Sequence, residues 1–181
     1  MRQYVHSTAI VHPLAKIADD VRVGPFSIIH ENVVIPTGCE IGAYCEIGIK
    51  TALGDGSPLV FGENATIRSH SIFYESSSFG AGLITGHRVT VREDTRAGKN
   101  LQIGTLGDIQ GDCVIGDFVR FHSNVHIGKM SVIENFVWIF PYVVLTNDPH
   151  PPSNVLKGVT VGSYAVIATM SVISPGVKIG S

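Results

Sequence analysis

Bulky aliphatic or aromatic residues return at every sixth position from Val5 to Ile179, with only two changes of phase. Four positions after each of them the chain carries a small or β-branched residue, such as Ala9, Cys39 or Ser131. A strand alternates its faces with period 2 and a helix repeats every 3.6 residues, so a period of six with two inward positions predicts a short strand and a corner. Three such hexads make a coil of 18 residues, and each coil buries its core against the next one.

The repeat has a second regular feature, a glycine directly after many of the bulky residues. A tight coil needs minimal side-chain bulk at such a corner. Within the middle block, from Phe61 to Leu145, only Thr85 and Ala97 lack a bulky side chain at the inward position. The glycines lie at positions 24, 42, 48, 62, 80, 86, 98, 104, 116, 128, 162 and 180.

The hexads V-G-P-F-S-I, I-G-A-Y-C-E, I-G-D-F-V-R and V-G-S-Y-A-V resemble those of the hexapeptide-repeat acyltransferases, and the resemblance covers almost the whole chain. The resemblance, rather than the spacing, implies that the coil is left-handed. We therefore expect an all-β fold, a left-handed parallel β-helix of roughly nine to ten coils. No linker or low-complexity run divides the chain, so residues 1–181 are expected to form a single acyltransferase domain.

Charge and hydropathy exclude several classes of partner. A formal net charge of −2 gives no general attraction to nucleic acid or to anionic membranes. The most apolar run, residues 136–145, is shorter than the roughly 20 residues of a membrane span and contains Pro141. The N-terminus lacks the layout of a signal peptide. We expect a cytoplasmic protein with no nucleic-acid partner and no membrane insertion.

The three cysteines, Cys39, Cys45 and Cys113, all occupy the small inward position of the hexad. Such thiols behave as small buried hydrophobic groups. Their spacing predicts neither a disulfide framework nor a zinc cage.

The two changes of phase predict two irregular segments. Between Leu53 and Phe61 the repeat slips by two residues, and the turn-forming run G-D-G-S-P (54–58) favours a bulged structural corner. Between Leu145 and Val161 the spacing is sixteen instead of twelve, which predicts four extra residues outside the coil. An excursion loop near 146–160 is therefore the best candidate for a functional loop.

This loop carries groups that accept, donate and exchange protons, namely Asn147, Asp148 and His150. Its pattern T-N-D-x-x-P resembles the corresponding loop of bacterial nucleotide-sugar N-acyltransferases, and F-H-S-N-V-H-I-G (121–128) stands where that family has a polar corner. The pair His150-Pro151 also resembles the His-Pro of galactoside and maltose acetyltransferases, in which the histidine is the general base. Two subfamilies therefore point to one loop.

Positions that are 18 residues apart stack in one column of the coil, and this arithmetic tests each group of polar residues. His87 shares its column with Ser69 and Thr105, and Asp108 lies directly under His126. The sequence therefore predicts a polar corner at His87 and a histidine with a carboxylate neighbour at His126.

The corner G-H-R-V-T-V (86–91) resembles that of UDP-N-acetylglucosamine acyltransferases, in which the histidine is the general base. His87 is therefore the first candidate for the catalytic base. His150 and His122 follow, because corner and loop positions project furthest into a groove. The remaining candidates are substrate-binding residues, namely Asn124, His126, Asn147, Asp148 and Asp108.

The resemblance implies an N-acyltransferase in which the amine of a nucleotide-linked amino sugar attacks an acyl-CoA thioester while a histidine removes the proton. Backbone N–H groups at a glycine-lined corner are candidates to hold the tetrahedral oxyanion. We expect acetyl-CoA as the donor, because the sequence lacks the basic C-terminal helix that users of acyl carrier protein have. The expected process is surface polysaccharide biosynthesis, such as that of lipopolysaccharide or O-antigen, and no metal is expected.

Two alternatives remain open. One is an O-acetyltransferase acting on a sugar or another small hydroxyl acceptor. The other is a zinc protein like the gamma-class carbonic anhydrases, which bind zinc through three histidines between subunits. The candidate ligands in this chain are His87, His122 and His126. A zinc site within one subunit is disfavoured, because His87 and His122 differ by 35 positions and not by 36.

A group of aromatic residues late in the chain is predicted to face outward. Large exposed apolar patches usually mark an interface, and the family resemblance implies a homotrimer with active sites between subunits. The residues are Phe118, Phe136, Trp138, Phe140 and Tyr142.

Overall fold

A computed structural model describes residues 4–181, in which the chain forms 27 short strands and no helix. In chain order they are β1 (Tyr4–Val5), β2 (Ile10–Val11), β3 (Lys16–Ile17), β4 (Arg22–Val23), β5 (Ile28–Ile29), β6 (Val33–Ile35), β7 (Glu40–Ile41), β8 (Glu46–Ile49), β9 (Leu59–Val60), β10 (Thr66–Ile67), β11 (Ile72–Tyr74), β12 (Ser78–Phe79), β13 (Ile84–Thr85), β14 (Thr90–Val91), β15 (Arg96–Ala97), β16 (Gln102–Ile103), β17 (Asp108–Ile109), β18 (Val114–Ile115), β19 (Arg120–Phe121), β20 (His126–Ile127), β21 (Val132–Ile133), β22 (Trp138–Ile139), β23 (Val144–Leu145), β24 (Thr160–Val161), β25 (Val166–Ile167), β26 (Val172–Ile173) and β27 (Lys178–Ile179).

The strands form three parallel sheets of nine strands each. The first sheet contains β1 and every third strand after it, the second sheet starts from β2, and the third sheet starts from β3. The result is a three-sided prism of nine complete coils, which confirms the expected parallel β-helix. We call the corner from the first to the second sheet the first edge, that from the second to the third sheet the second edge, and the remaining corner the third edge.

The strands pair in a register of 18 residues wherever no insertion intervenes. Tyr4 pairs with Arg22, and Asp108 pairs with His126. The backbone N–H of each coil donates to a carbonyl of the next coil, so the main-chain groups of these two-residue strands are satisfied between coils. Residues 18 positions apart therefore do stack in columns, as the sequence predicts.

The core of the prism is filled by the inward positions of the hexads. The bulky positions are buried through the middle coils, with Ile47, Val91 and Ile127 fully inaccessible to solvent. The small position is buried as well, and its serine hydroxyls donate to neighbouring carbonyls, as in the 2.6 Å bond from Ser131 to Gly128. This pattern confirms the two inward positions.

The three cysteines are free and buried, as predicted. Burial raises the pKa of the Cys113 thiol to about 11, and it also raises the pKa of Cys39 and Cys45. Such thiols remain protonated near neutral pH and pack as small apolar groups.

The first irregular segment is longer than the sequence predicted. Val33 pairs with Leu59, 26 positions later, so eight residues are inserted in this coil. The connection between β8 and β9, the loop 50–58 at the second edge, accommodates the insertion. Leu53 lies in this loop with 60% of its surface exposed and does not continue the inward column. The predicted change of phase by two is therefore correct, but the length of the insertion is not two residues, because a change of phase determines an insertion only to within multiples of six.

The second irregular segment follows the same rule. Val132 pairs with Thr160, 28 positions later, so ten residues leave the coil and not four. The loop 146–159 joins β23 to β24 and confirms the expected excursion near 146–160. It lies at the second edge, five coils away from the loop 50–58.

The late aromatic residues do face outward in the single chain. Trp138 and Tyr142 are 42% and 54% exposed, respectively. The rings of Phe118, Phe136 and Tyr164 stack in a ladder along the third edge, with centroids 5.2 Å and 5.0 Å apart. Their role in a subunit interface remains a prediction. Residues 4–181 contain no helix that is long and apolar enough to cross a membrane.

The stacking of coils predicts that alanine substitutions at two glycines of one column at the third edge differ in their effect on the free energy of unfolding. A Cβ at Gly80 meets the backbone N of Lys99 at 2.6 Å, whereas a Cβ at Gly180 meets nothing within 4 Å. We expect Gly80→Ala to lower the free energy of unfolding by about 1–3 kcal/mol and Gly180→Ala to change it by less than about 0.5 kcal/mol. Urea denaturation of the two variants checks this. Equal losses would contradict the close stacking of the coils.

Candidate active site

Three of the predicted histidines lie at or beside the first edge. His87 and His122 occupy this edge on coils that are two apart, and His126 begins the strand of the second sheet that directly follows it. The parallel register holds them there, because each corner is fixed by the coils on both sides. The structure therefore brings these three residues to one region of the prism.

The side chain of His126 is hydrogen-bonded to that of Asp108 on the neighbouring coil. The Nδ1 atom of His126 lies 2.9 Å from Oδ2 of Asp108, and Nε2 of Gln110 donates to the same oxygen at 2.7 Å. The side chains of His126 and Asp108 are 38% and 34% exposed, so the pair lies at the surface but is partly shielded from water. The expectation that Asp108 lies under His126 is confirmed.

The pKa of Asp108 is set by two opposing effects. Burial on its own raises the pKa of this carboxyl group, but the hydrogen bonds from His126 and Gln110 outweigh burial, and the pKa lies below its usual value. Asp108 is therefore an anion near neutral pH. An anionic carboxylate accepts hydrogen bonds only, so the Nδ1 atom of His126 must carry the proton of this bond.

This assignment leaves Nε2 of a neutral His126 with a free lone pair. A histidine that is held by a carboxylate at Nδ1 and exposes its other nitrogen has the arrangement that general-base catalysis requires. The pair thus combines an oriented imidazole with a fixed tautomer. Gln110 in turn fixes the carboxylate.

His122 is held in the opposite tautomer. Its Nδ1 atom accepts a hydrogen bond of 2.8 Å from the backbone N–H of Ser123. The proton of the neutral ring therefore lies on Nε2, and this nitrogen can donate a hydrogen bond. An exposed donor of this kind suits the binding of an anion or an oxyanion better than the removal of a proton.

His87 is bonded on both sides within its column. Its Nδ1 atom lies 2.8 Å from Oγ of Ser69, and its backbone N–H donates to Oγ1 of Thr105 at 3.2 Å. A hydroxyl both donates and accepts, so the bond to Ser69 is compatible with either tautomer of His87. The polar corner predicted at His87 is confirmed.

The loop 146–159 is organised by Asp148. Oδ1 of Asp148 accepts from the backbone N–H of His150 at 2.9 Å and from the Ser153 hydroxyl at 2.7 Å, and Oδ2 accepts from the Ser153 N–H at 2.9 Å. The Ser153 hydroxyl is the main cause that lowers the pKa of Asp148. The carbonyl of Asn147 accepts from the N–H of Lys157 at 2.8 Å. Asp148 thus shapes the loop that presents the exposed ring of His150.

His150 and the first-edge histidines lie at different edges of the prism, with the second sheet between them. His126 starts its strand on that sheet, on the side next to the first edge. Asn124 turns the corner before it, with φ of 58° and its N–H bonded to the carbonyl of Thr105 at 2.9 Å. The structure therefore groups Asn124 with His126 and separates them from the loop residues.

A shallow groove of about 320 Å³ runs along the first edge on the side of the first sheet. Gly86 and Gly104 form its floor, and His122 and Thr105 border it. The N–H groups of both glycines already donate to the next coil, to the carbonyls of Ile103 and Phe121. These two N–H groups are therefore not free to hold an oxyanion, and a role for other backbone N–H groups of a glycine-lined corner stays a prediction.

Two residues of this region were not identified from the sequence as candidate site residues. Gln110 lies two positions after Asp108, directly beyond the end of β17, so the period of two of extended chain could have identified it. Arg68 lies at the far end of the groove from His122 and belongs to the same column. Within residues 4–181 no three His, Cys, Asp or Glu side chains converge on a common metal position.

The chain is similar to known acyltransferases in sequence and in fold. No protein-family model matches the chain. An acyl-acyl-carrier-protein UDP-N-acetylglucosamine O-acyltransferase of Saccharophagus degradans is 33% identical over 132 residues, which are 73% of this chain and 48% of that protein. A solved UDP-N-acetylglucosamine acyltransferase is 18% identical, with a TM-score of 0.60 over 88% of this chain and 73% of that one. These likenesses confirm that the chain resembles the hexapeptide-repeat acyltransferases.

A second solved structure shows the same likeness in fold. The UDP-N-acetylglucosamine acyltransferase of Arabidopsis is 23% identical, with a TM-score of 0.52 over 93% of this chain and 67% of its own. These likenesses in fold confirm the left-handed β-helix that the family resemblance implies. The chain spans about half the length of the curated relatives it matches, 48% in the Saccharophagus protein.

The lowered pKa of Asp108 predicts a specific acid response. A lowered pKa in the folded state adds stability above the unfolded value of about 3.9, and this stability is lost as the pH falls through the folded value. In Asp108→Asn the urea midpoint should therefore fall less between about pH 6 and pH 3 than in the wild type. The effect is modest, because the group is partly exposed.

The exposed Asp19 offers a matched control, since its side chain makes no hydrogen bond within residues 4–181. Asp19→Asn should retain the full decrease of the wild type. If Asp108→Asn also retained it, the hydrogen bonds from His126 and Gln110 would not stabilise the carboxylate.

Proposed function

We propose that this chain is an acyltransferase that moves an acyl group from a thioester to a nucleotide-linked sugar, with His126 as the general base. The pair of His126 and Asp108 beside the groove of the first edge carries the proposal. The name of the Saccharophagus relative supports the reaction class and the nucleotide sugar. The fold supports it as well, because the solved proteins of similar fold are named as acyltransferases.

The chemistry assigns one role to each member of the pair. Nε2 of His126 takes the proton from the acceptor as its oxygen or nitrogen attacks the thioester carbonyl. The tetrahedral intermediate then collapses, the carbon–sulfur bond breaks, and the proton passes to the leaving thiolate. Asp108 holds the ring and stabilises the imidazolium that forms meanwhile. Gln110 keeps the carboxylate in place.

We propose His126 as the base in place of the three histidines that the sequence analysis favoured for their position at a corner or in the loop. His122 presents a donor, since its Nδ1 is occupied by the Ser123 N–H. His87 is bonded to a hydroxyl and lacks a carboxylate that would fix its tautomer. His150 stands on the second edge and remains a proposed contributor to acceptor binding, together with Asn147.

There are two candidate acceptors for the acyl group and two candidate acyl donors. The T-N-D-x-x-P loop supports an amino sugar and acetyl-CoA. The name of the Saccharophagus relative, an O-acyltransferase that uses acyl-acyl carrier protein, supports a hydroxyl group of UDP-N-acetylglucosamine. We propose N-acylation by acetyl-CoA as the first candidate and O-acylation by acyl-acyl carrier protein as the second. A homotrimer that works in the cytoplasm on surface polysaccharide precursors fits both.

Thiol release tests the function and the base together. Acetyl-CoA and acyl-acyl carrier protein are each offered with UDP-N-acetylglucosamine and with dTDP- and UDP-linked amino sugars. Release of thiol with an amino sugar supports N-acylation, and an amide product survives mild alkali that cleaves an ester. Absence of thiol release with every pair would overturn the proposal.

His126→Ala should lower kcat by about 100- to 10,000-fold, because a positioned base contributes that much to the rate. His30→Ala is the matched control, since His30 is also paired with a carboxylate, 3.1 Å from Glu46 in the early coils. We expect the control to keep wild-type kcat. Full activity of His126→Ala, with loss in His87→Ala or His150→Ala, would move the base to that residue.

A further inference from the structure

The groove of the first edge follows the column of residues that come directly after the strands of the first sheet. In four of the nine coils this residue is glycine, namely Gly24, Gly42, Gly86 and Gly104. A Cβ would meet the backbone of the next coil at 2.3 Å for Gly86 and at 2.4 Å for Gly104. Arg68 stands between Gly42 and Gly86 in this column, and His122 follows Gly104.

A second irregularity accompanies Arg68. Thr85 is one of two inward positions in the middle block without a bulky side chain, and it is buried. Its Oγ1 accepts the backbone N–H of Arg68 at 2.9 Å, where the glycines of the column donate to a carbonyl instead. The two departures from the repeat are therefore coupled, and Thr85 fixes the backbone that carries Arg68.

Arg68 and His122 border opposite ends of the groove, with the two glycine coils between them. They are three coils apart, which corresponds to about 14 Å at the usual strand spacing. The missing side chains of Gly86 and Gly104 leave an open track between a guanidinium group and an imidazole. Such a track suits an extended ligand.

The electrostatics of the track favour an anion. No Asp or Glu is among the described residues that line it. Within residues 4–181 the exposed guanidinium of Arg68 makes no salt bridge, whereas Arg92 is paired with Glu93 at 3.1 Å. The Nε2–H of His122 is a second donor without an acceptor in its own column. Arginine binds phosphate through two parallel hydrogen bonds.

We propose that the groove is a phosphate subsite in which Arg68 binds a phosphate group of a substrate and His122 donates a hydrogen bond to the same molecule. The inference rests on the proposed function for the identity of that substrate. The phosphate belongs either to the diphosphate of the nucleotide sugar or to the phosphopantetheine arm of the acyl donor. Both sources share the chemistry that Arg68 recognises.

Binding of UDP and of coenzyme A, each measured by calorimetry, tests the subsite and separates the two sources. Arg68→Ala should weaken one of them roughly 10- to 100-fold, because hydrogen bonds to a charged group are lost. Arg68→Lys keeps the charge but not the planar fork and should recover part of the affinity. Arg22→Ala removes the same charge from the first sheet two coils before Arg68 and should leave both affinities unchanged.

The outcomes distinguish this inference from the proposed function. Unchanged binding of both probes by Arg68→Ala overturns the subsite, even if His126→Ala has lost turnover. Equal weakening by Arg68→Ala and Arg22→Ala also overturns it, since a general charge effect would then suffice. Loss of binding specific to Arg68→Ala supports the subsite, even in a protein that transfers no acyl group.

Discussion

Parallel backbone pairing between successive coils is the interaction on which the rest of the structure depends. Each strand is only two to four residues long, so no coil satisfies its own main-chain groups. Stacking satisfies them and buries the inward residues, each worth about 1.5–3 kcal/mol when it is a large aliphatic one. The same stacking fixes the outward columns, which set Asp108 beside His126 and align Arg68 with His122.

The coil and its register could be predicted from the sequence because both follow from one period. The inward columns, the buried cysteines and the contact of His126 with Asp108 needed only the spacing of 18. The lengths of the insertions could not be predicted, since phase repeats every six residues and eight inserted residues look like two. Leu53 shows the consequence, because it fits the period by chance yet lies in an exposed loop.

The candidate site could be predicted only in part. Columns identify which side chains are neighbours, but they do not show which ring nitrogen each neighbour occupies. That detail separates His126, held by a carboxylate, from His122, held by a backbone N–H. Arg68 escaped notice because no motif surrounds it; its significance comes from the glycines above it and from Thr85, whose hydroxyl replaces the usual carbonyl.

The central claim is that the neighbours of His126 and His122 fix opposite tautomers and so divide proton removal from anion binding. NMR spectroscopy of the nitrogen-15-labelled protein near neutral pH resolves the two ring nitrogens of each histidine, and His126→Ala and His122→Ala assign the signals. The account predicts the proton on Nδ1 of His126 and on Nε2 of His122. A His126 ring that carries its proton on Nε2 alone would contradict it, because no lone pair would then face the acceptor.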